Sequence, residues 1–148
     1  MPAAAAGYSK QPIHQKLGYK DGQRAAFIAL PPEVEALAGS VAFRSVARLN
    51  DWREKLPAGG LDLIHAFTTE RADLDTRLIA LQKALTPDGT IWVSWPKKAS
   101  KVATDVTEDR VREAALKLDL VDVKVAAVDA VWSGLKLVIR KEFRSRSR

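Results

Sequence analysis

The chain has 148 residues, 47% of them apolar and 28% charged, with a net charge of +6, the make-up of one ordinary globular domain with a real core. Its apolar runs are far shorter than a membrane span, and the alanine-rich start lacks a basic segment followed by a long apolar one, so a cytoplasmic protein without membrane contact is expected. Cysteine is absent, which excludes disulfides, thiolate metal sites and cysteine nucleophiles, and His14 and His65, in separate segments, are poor material for a metal centre.

The positive charge is concentrated at one end. Arg140 to Arg148 hold five basic residues and one acid, a net of +4, leaving about +2 for everything before them. The body therefore presents no general basic face, and the tail reads most simply as solvated. Residues 1–10 are expected to be flexible, 11–141 to form a single domain and 142–148 to be a basic tail. Nucleic acid, if contacted at all, would be contacted through Arg144, Arg146 and Arg148.

Taken in chain order, Pro12 opens a short helical turn through Leu17 that Gly18 ends, and Lys20-Asp21-Gly22 turns into a strand, Arg24 to Leu30. The unbroken apolar run of that strand suits burial on both faces. Pro31 and Pro32 stop it, and Glu33 to Ala38 follows as a short helix closed by Gly39. Val41 to Val46 is a second strand, and Asn50 or Asp51 caps a helical turn holding Trp52 and Leu56. Leu61 to Phe67 is the next central strand. Thr68 or Thr69 caps the helix after it, in which Leu74, Leu78, Leu81 and Leu85 form one apolar stripe. Pro87-Asp88-Gly89 turns the chain into a strand from Thr90 to Trp95, and Thr107 caps a second amphipathic helix through Leu118. Strands Leu120 to Val128 and Leu135 to Lys141, joined by six residues, form an antiparallel hairpin.

This order of elements predicts an α/β, three-layer, Rossmann-like and mostly parallel sheet of about six strands with a C-terminal antiparallel hairpin. Leu85-Thr86-Pro87-Asp88-Gly89-Thr90-Ile91-Trp92-Val93 resembles the helix, turn and fifth strand of S-adenosylmethionine-dependent methyltransferases, and Lys20 to Arg24 resembles the lead into their first strand. The resemblance implies a glycine-rich turn after the first strand and an acid ending the second. Ala29-Leu30-Pro31-Pro32-Glu33 has no glycine, two prolines remove backbone donors, and Phe43 to Ala47 offers no acid. No cofactor is therefore expected, with S-adenosylmethionine kept for the alternative of a divergent methyltransferase.

A closer resemblance runs along nearly the whole chain. Gly7-Tyr8-Ser9, Lys16-Leu17-Gly18, Trp92 to Lys98, Asp105-Val106-Thr107-Glu108, Val128-Asp129 and Trp132 to Leu137 resemble a family of small bacterial proteins classed as domain of unknown function 3052. That resemblance implies no activity, substrate or catalytic residue. The expectation is a non-enzymatic binding or regulatory module for an anionic small molecule or a protein partner.

In such sheets ligands lie beyond the carboxyl ends of the parallel strands. Trp95, Lys97 and Lys98 leave one such end, and the link bearing Asp129, Trp132 and Ser133 is expected beside it. These six residues are the candidate ligand site, with the tryptophans stacking on a planar group and the lysines neutralising an anion. The competing reading fills the core rim with the tryptophans, leaves the lysines in water and makes Asp129 a turn cap. No catalytic set is recognisable, and His65 reads as a hydrogen-bonded core residue on the face opposite Asp62.

Overall fold

The computed structural model describes residues 12–144. Gly7-Tyr8-Ser9, the expected flexible start, and Arg146 and Arg148 lie outside the described residues. Pro12 precedes helix α1 (Ile13–Lys16), which ends at Gly18 with φ +74°. Strands β1 (Arg24–Ile28), β2 (Ser45–Leu49), β3 (Leu61–Phe67), β4 (Leu85–Pro96), β5 (Leu120–Ala127) and β6 (Trp132–Ile139) make one sheet in the order β2-β1-β3-β4-β6-β5. The pairs β1·β2, β1·β3 and β3·β4 are parallel, and β4·β6 and β5·β6 antiparallel. This is the α/β sheet with a terminal antiparallel hairpin that the order of elements predicts.

Two layers cover the sheet by different means. On one face α2 (Arg71–Ala84) and α3 (Glu108–Leu116) bury Leu74, Leu78, Leu81, Val111 and Ala115 against Ile64, Ile91 and Trp95. Each fully buried leucine contributes about 2 kcal/mol. On the other face no long helix lies among the described residues. Leu17 and Tyr19 after α1, Leu37 of a 3₁₀ segment (Pro32–Gly39), and Trp132 pack on Phe27, Phe67 and Trp92.

Several boundaries differ from expectation, each for a tertiary reason. The strand expected at Val41 to Val46 runs from Ser45 to Leu49, because pairing of Arg24 with Ser45 through Ile28 with Leu49 fixes it. Val41 and Phe43, at the start of the expected strand, pack on the second layer instead, Phe43 lying 5.7 Å from Tyr19 and 5.9 Å from Phe27 between ring centres. The helix expected at Glu33 to Ala38 is 3₁₀ and kinked at Val34. The turn at Pro87-Asp88-Gly89 is a bulge within β4, since Leu61 pairs with Leu85 while Leu63 pairs with Thr90. A side chain on Gly89 would come within 2.9 Å of the Leu61 carbonyl oxygen, so the bulge accepts only glycine. Leu85, the end of the expected stripe, is already strand.

β6 starts at Trp132 rather than Leu135, which shortens the hairpin link to residues 128–131. Asp105, from the family-like segment, accepts from the Arg71 N–H at 2.7 Å and satisfies the start of α2, while Thr107 caps α3 by accepting from the Arg110 N–H. That segment is a double helix cap. Arg144 is not loose either: its Nε donates to the Ile139 carbonyl at 2.8 Å.

Candidate functional site

The sheet order reverses between β1 and β3, and the crevice outside their carboxyl ends is where this architecture places ligands. β1 is followed by Ala29, whose φ of +56° lies in the left-handed region that costs a residue with a Cβ on the order of 1 kcal/mol. Its N–H still bonds the Leu49 carbonyl at 2.8 Å, so β2 holds the strained residue in place.

Trp132 spans this crevice from β6. Its ring meets Phe67 edge-on at 5.4 Å, and its Nε1–H donates to Glu33 Oε2 at 3.1 Å. That bond holds the Glu33 carboxyl below its ordinary pKa. Two cavities open on either side of the Ala29 and Trp132 waist. One, of about 310 Å³, is lined by Asp51, Trp52, Thr68, Glu70 and Asp73, and the other, of about 390 Å³, by Leu30, Pro31, Pro32, Leu49 and Asn50.

Charge divides within the first cavity. Thr68 donates to Asp73 Oδ2 at 2.6 Å, and Arg53 pairs with Asp73 Oδ1 at 3.1 Å. Asp51 uses one oxygen to accept from the Arg53 N–H at 2.6 Å. The other oxygen of Asp51 and the exposed Glu70 carboxyl remain as acceptors at the rim. The cavity can thus accept hydrogen bonds from hydroxyls or bind a cation, and it repels a bare anion. Because β2 ends at Leu49, Asn50 and Asp51 stand where the sequence reading placed Phe43 to Ala47. An acid does follow the second strand.

The six residues expected to converge all lie at one strand end, but their side chains divide between the two faces, Ser133 alternating onto the face of Trp95 and away from Trp132. Pro96 pairs with Trp132 and Trp95 with Ser133, and the Lys97 N–H donates to the Val131 carbonyl at 2.7 Å. Trp95, however, points into the opposite layer and is 6% exposed, so it cannot stack on a ligand beside Trp132. Asp129 is a turn cap, accepting from the Val131 and Trp132 N–H groups at 2.9 and 2.7 Å. Lys98 is exposed and Lys97 half-buried, and neither lysine lines the two cavities.

A second polar group lies on the same face, sealed. Tyr19 Oη is 2.6 Å from His65 Nδ1, and Ser94 Oγ is 2.8 Å from His65 Nε2. The His65 ring stacks on Phe67 at 4.3 Å. Burial pushes its pKa down to about 3 and that of Tyr19 up, so both stay neutral. His65 and Ser94 have no exposed surface, which denies a substrate access to this serine and histidine. The sequence reading expected His65 to be hydrogen-bonded in the core but did not name its partners Ser94 and Tyr19. The signal for Ser94 was its place two residues from Trp92, on the same face of β4. Asp62, on the other face, accepts from the Arg24 N–H at 2.8 Å.

Two further family-like segments converge on this cluster. Trp92 Nε1 donates to the Leu17 carbonyl at 2.7 Å. Gly134, opposite Ser94, leaves the space those side chains need, since a Cβ there would lie 3.0 Å from Ser94 Oγ and 3.1 Å from Trp92 Cε3.

Fold and crevice together define a methyltransferase-like α/β domain. Solved structures agree on the fold. A TehB-like SAM-dependent methyltransferase from Corynebacterium glutamicum aligns with a TM-score of 0.62 at 11% identity, over 93% of this chain and 92% of that one. A SAM-dependent methyltransferase from Aquifex aeolicus gives 0.65 at 15%, over 86% and 87%. Aeropyrum pernix fibrillarin, with natively bound S-adenosyl-L-methionine, gives 0.60 at 13%, over 89% and 70%. Residues 62–141 match the family model described as protein of unknown function DUF3052, and the chain belongs to that family. No curated protein sequence matches it. At these identities the structural likeness carries the fold alone. Pro31 and Pro32 have no N–H, so the segment after β1 offers at those two positions none of the backbone amides that would cradle a cofactor of the S-adenosylmethionine class. Among the described residues no helix is long and apolar enough to cross a membrane, and no group of histidines and carboxylates could hold a metal ion.

Proposed function

We propose that the protein is a binding module that takes a small planar, hydroxyl-bearing molecule of the nucleoside type into the two-lobed crevice outside β1 and β3. The observation that carries this reading is the pair of cavities meeting at Ala29 and Trp132. Pro31, Pro32 and Trp132 offer apolar surface for a flat ring, and Asp51 and Glu70 offer acceptors for hydroxyls. The acidic lining favours such a ligand over the anion that Lys97 and Lys98 suggest. Calorimetric titration with adenosine tests it. Saturable binding that weakens at least tenfold in Trp132→Ala and survives in Trp132→Phe is expected, and absence of binding at millimolar adenosine removes the proposal.

A divergent methyltransferase is the second reading, favoured by Asp51 two residues after the end of β2. Titration with S-adenosylmethionine and its demethylated product separates the two. Affinity for these at least tenfold above that for adenosine supports the second reading.

A further inference from the structure

One part of the second layer is absorbed by neither the crevice nor the sealed cluster. Lys136 follows Gly134 by two residues on β6, and its direct cross-strand partner on β5 is Lys124. Like charges placed opposite one another destabilise a sheet. Lys20, after α1, adds a third ammonium whose field reaches Lys136. Lys124 Nζ donates to the Lys16 carbonyl at 3.0 Å. Lys136 Nζ has no hydrogen-bond or ion-pair partner among the described residues, and lies 3.9 Å from where a side chain on Gly18 would begin. Lys136 is half-buried, so its charge has lost part of its hydration, and that burial, followed by the charges of Lys124 and Lys20, lowers its pKa. A desolvated ammonium without an acid, facing two more ammoniums, is costly unless an external anion completes it.

We infer that Lys20, Lys124 and Lys136 form a binding site for a small polyvalent oxyanion of the phosphate class, seated beside Gly18 where no side chain intrudes. The ligands come from three separate elements, and the two family-like segments Lys16-Leu17-Gly18 and Trp132 to Leu137 meet there. The site is distinct from the crevice, since Lys136 lies four residues from Trp132, about 13 Å along β6. Its charge is also opposite to that of the acidic lining.

Calorimetric titration of the full chain with inorganic pyrophosphate and inorganic phosphate at low ionic strength tests the site. Wild type is expected to bind pyrophosphate saturably, one per chain, more tightly than phosphate, and less tightly as potassium chloride is added. Lys136→Met and Lys124→Met are expected to weaken binding at least tenfold, while Lys97→Ala with Lys98→Ala leaves it unchanged. Without anion, Lys136→Met is expected to melt no lower than wild type, because it removes an uncompensated charge. The inference is overturned by absence of saturable binding, by equal binding in Lys136→Met, by equal loss in the Lys97 and Lys98 variant, or by a Lys136→Met protein that melts several degrees lower in anion-free buffer.

Discussion

His65 and Trp132 come from strands on the same sheet and both touch Phe67, yet their surroundings differ in kind. Around His65 every polar atom is matched within the protein and no surface is exposed. Around Trp132 acceptors face a cavity. The difference teaches that a suggestive set of residue types is no site unless solvent reaches it. Serine, histidine and tyrosine at hydrogen-bond distance serve here to fix β3, β4 and the segment after α1 in register.

The contrast can be broken most severely at its sealed end. Trp92→Ala removes a fully buried indole and leaves the Leu17 carbonyl without its donor, and should cost about 4 kcal/mol in urea denaturation. Acid should act on the same cluster through His65. The folded pKa is about 3 and the unfolded one ordinary, so the unfolded chain takes up the proton first. Stability is then complete above about pH 6.5 and falls toward pH 3, by up to about 1.4 kcal/mol per pH unit. Denaturation midpoints measured between pH 7 and pH 4 should show this slope in wild type and lose it in His65→Asn.

A smaller effect is expected where the cluster meets β6. Gly134→Ala forces a methyl group against Ser94 and Trp92 and should cost about 2 kcal/mol, read from the thermal midpoint. The open end should respond least. Glu33→Gln, and Lys97→Ala with Lys98→Ala, should each change stability by less than about 0.5 kcal/mol, because the residues changed are exposed or half-exposed. A loss of several kcal/mol in either would erase the distinction between a structural interior and a rim free to bind.

Much of the fold was legible locally, and the site was legible only in part. The stripe of Leu74, Leu78 and Leu81 and the apolar runs of β1 and β3 carry their own periodicity, so their burial followed from the residues. β2 gave no such signal: only Leu49 is buried in it, so its bounds come from pairing with β1. That shift of register concealed Asp51. Trp95 was grouped with Trp132 because both sit at one strand end, although strict alternation from Trp92 and Ser94 already sends it to the opposite face.

The sequence by itself determined the α/β order, the terminal hairpin, the lack of thiol chemistry and the Thr107 cap of α3, because each depends on residues close together along the chain or on composition; the cap expected of Thr68 or Thr69 is instead supplied to α2 by the distant Asp105. Tertiary structure alone decided that Trp132 reaches across to Glu33, that Tyr19 and Ser94 enclose His65, and that Lys20, Lys124 and Lys136 share one patch. Those partners come from separate elements of the chain, and only the packing of those elements brings them together, as the pairing of Lys124 with Lys136 and of Ser94 with Gly134 shows for the strands.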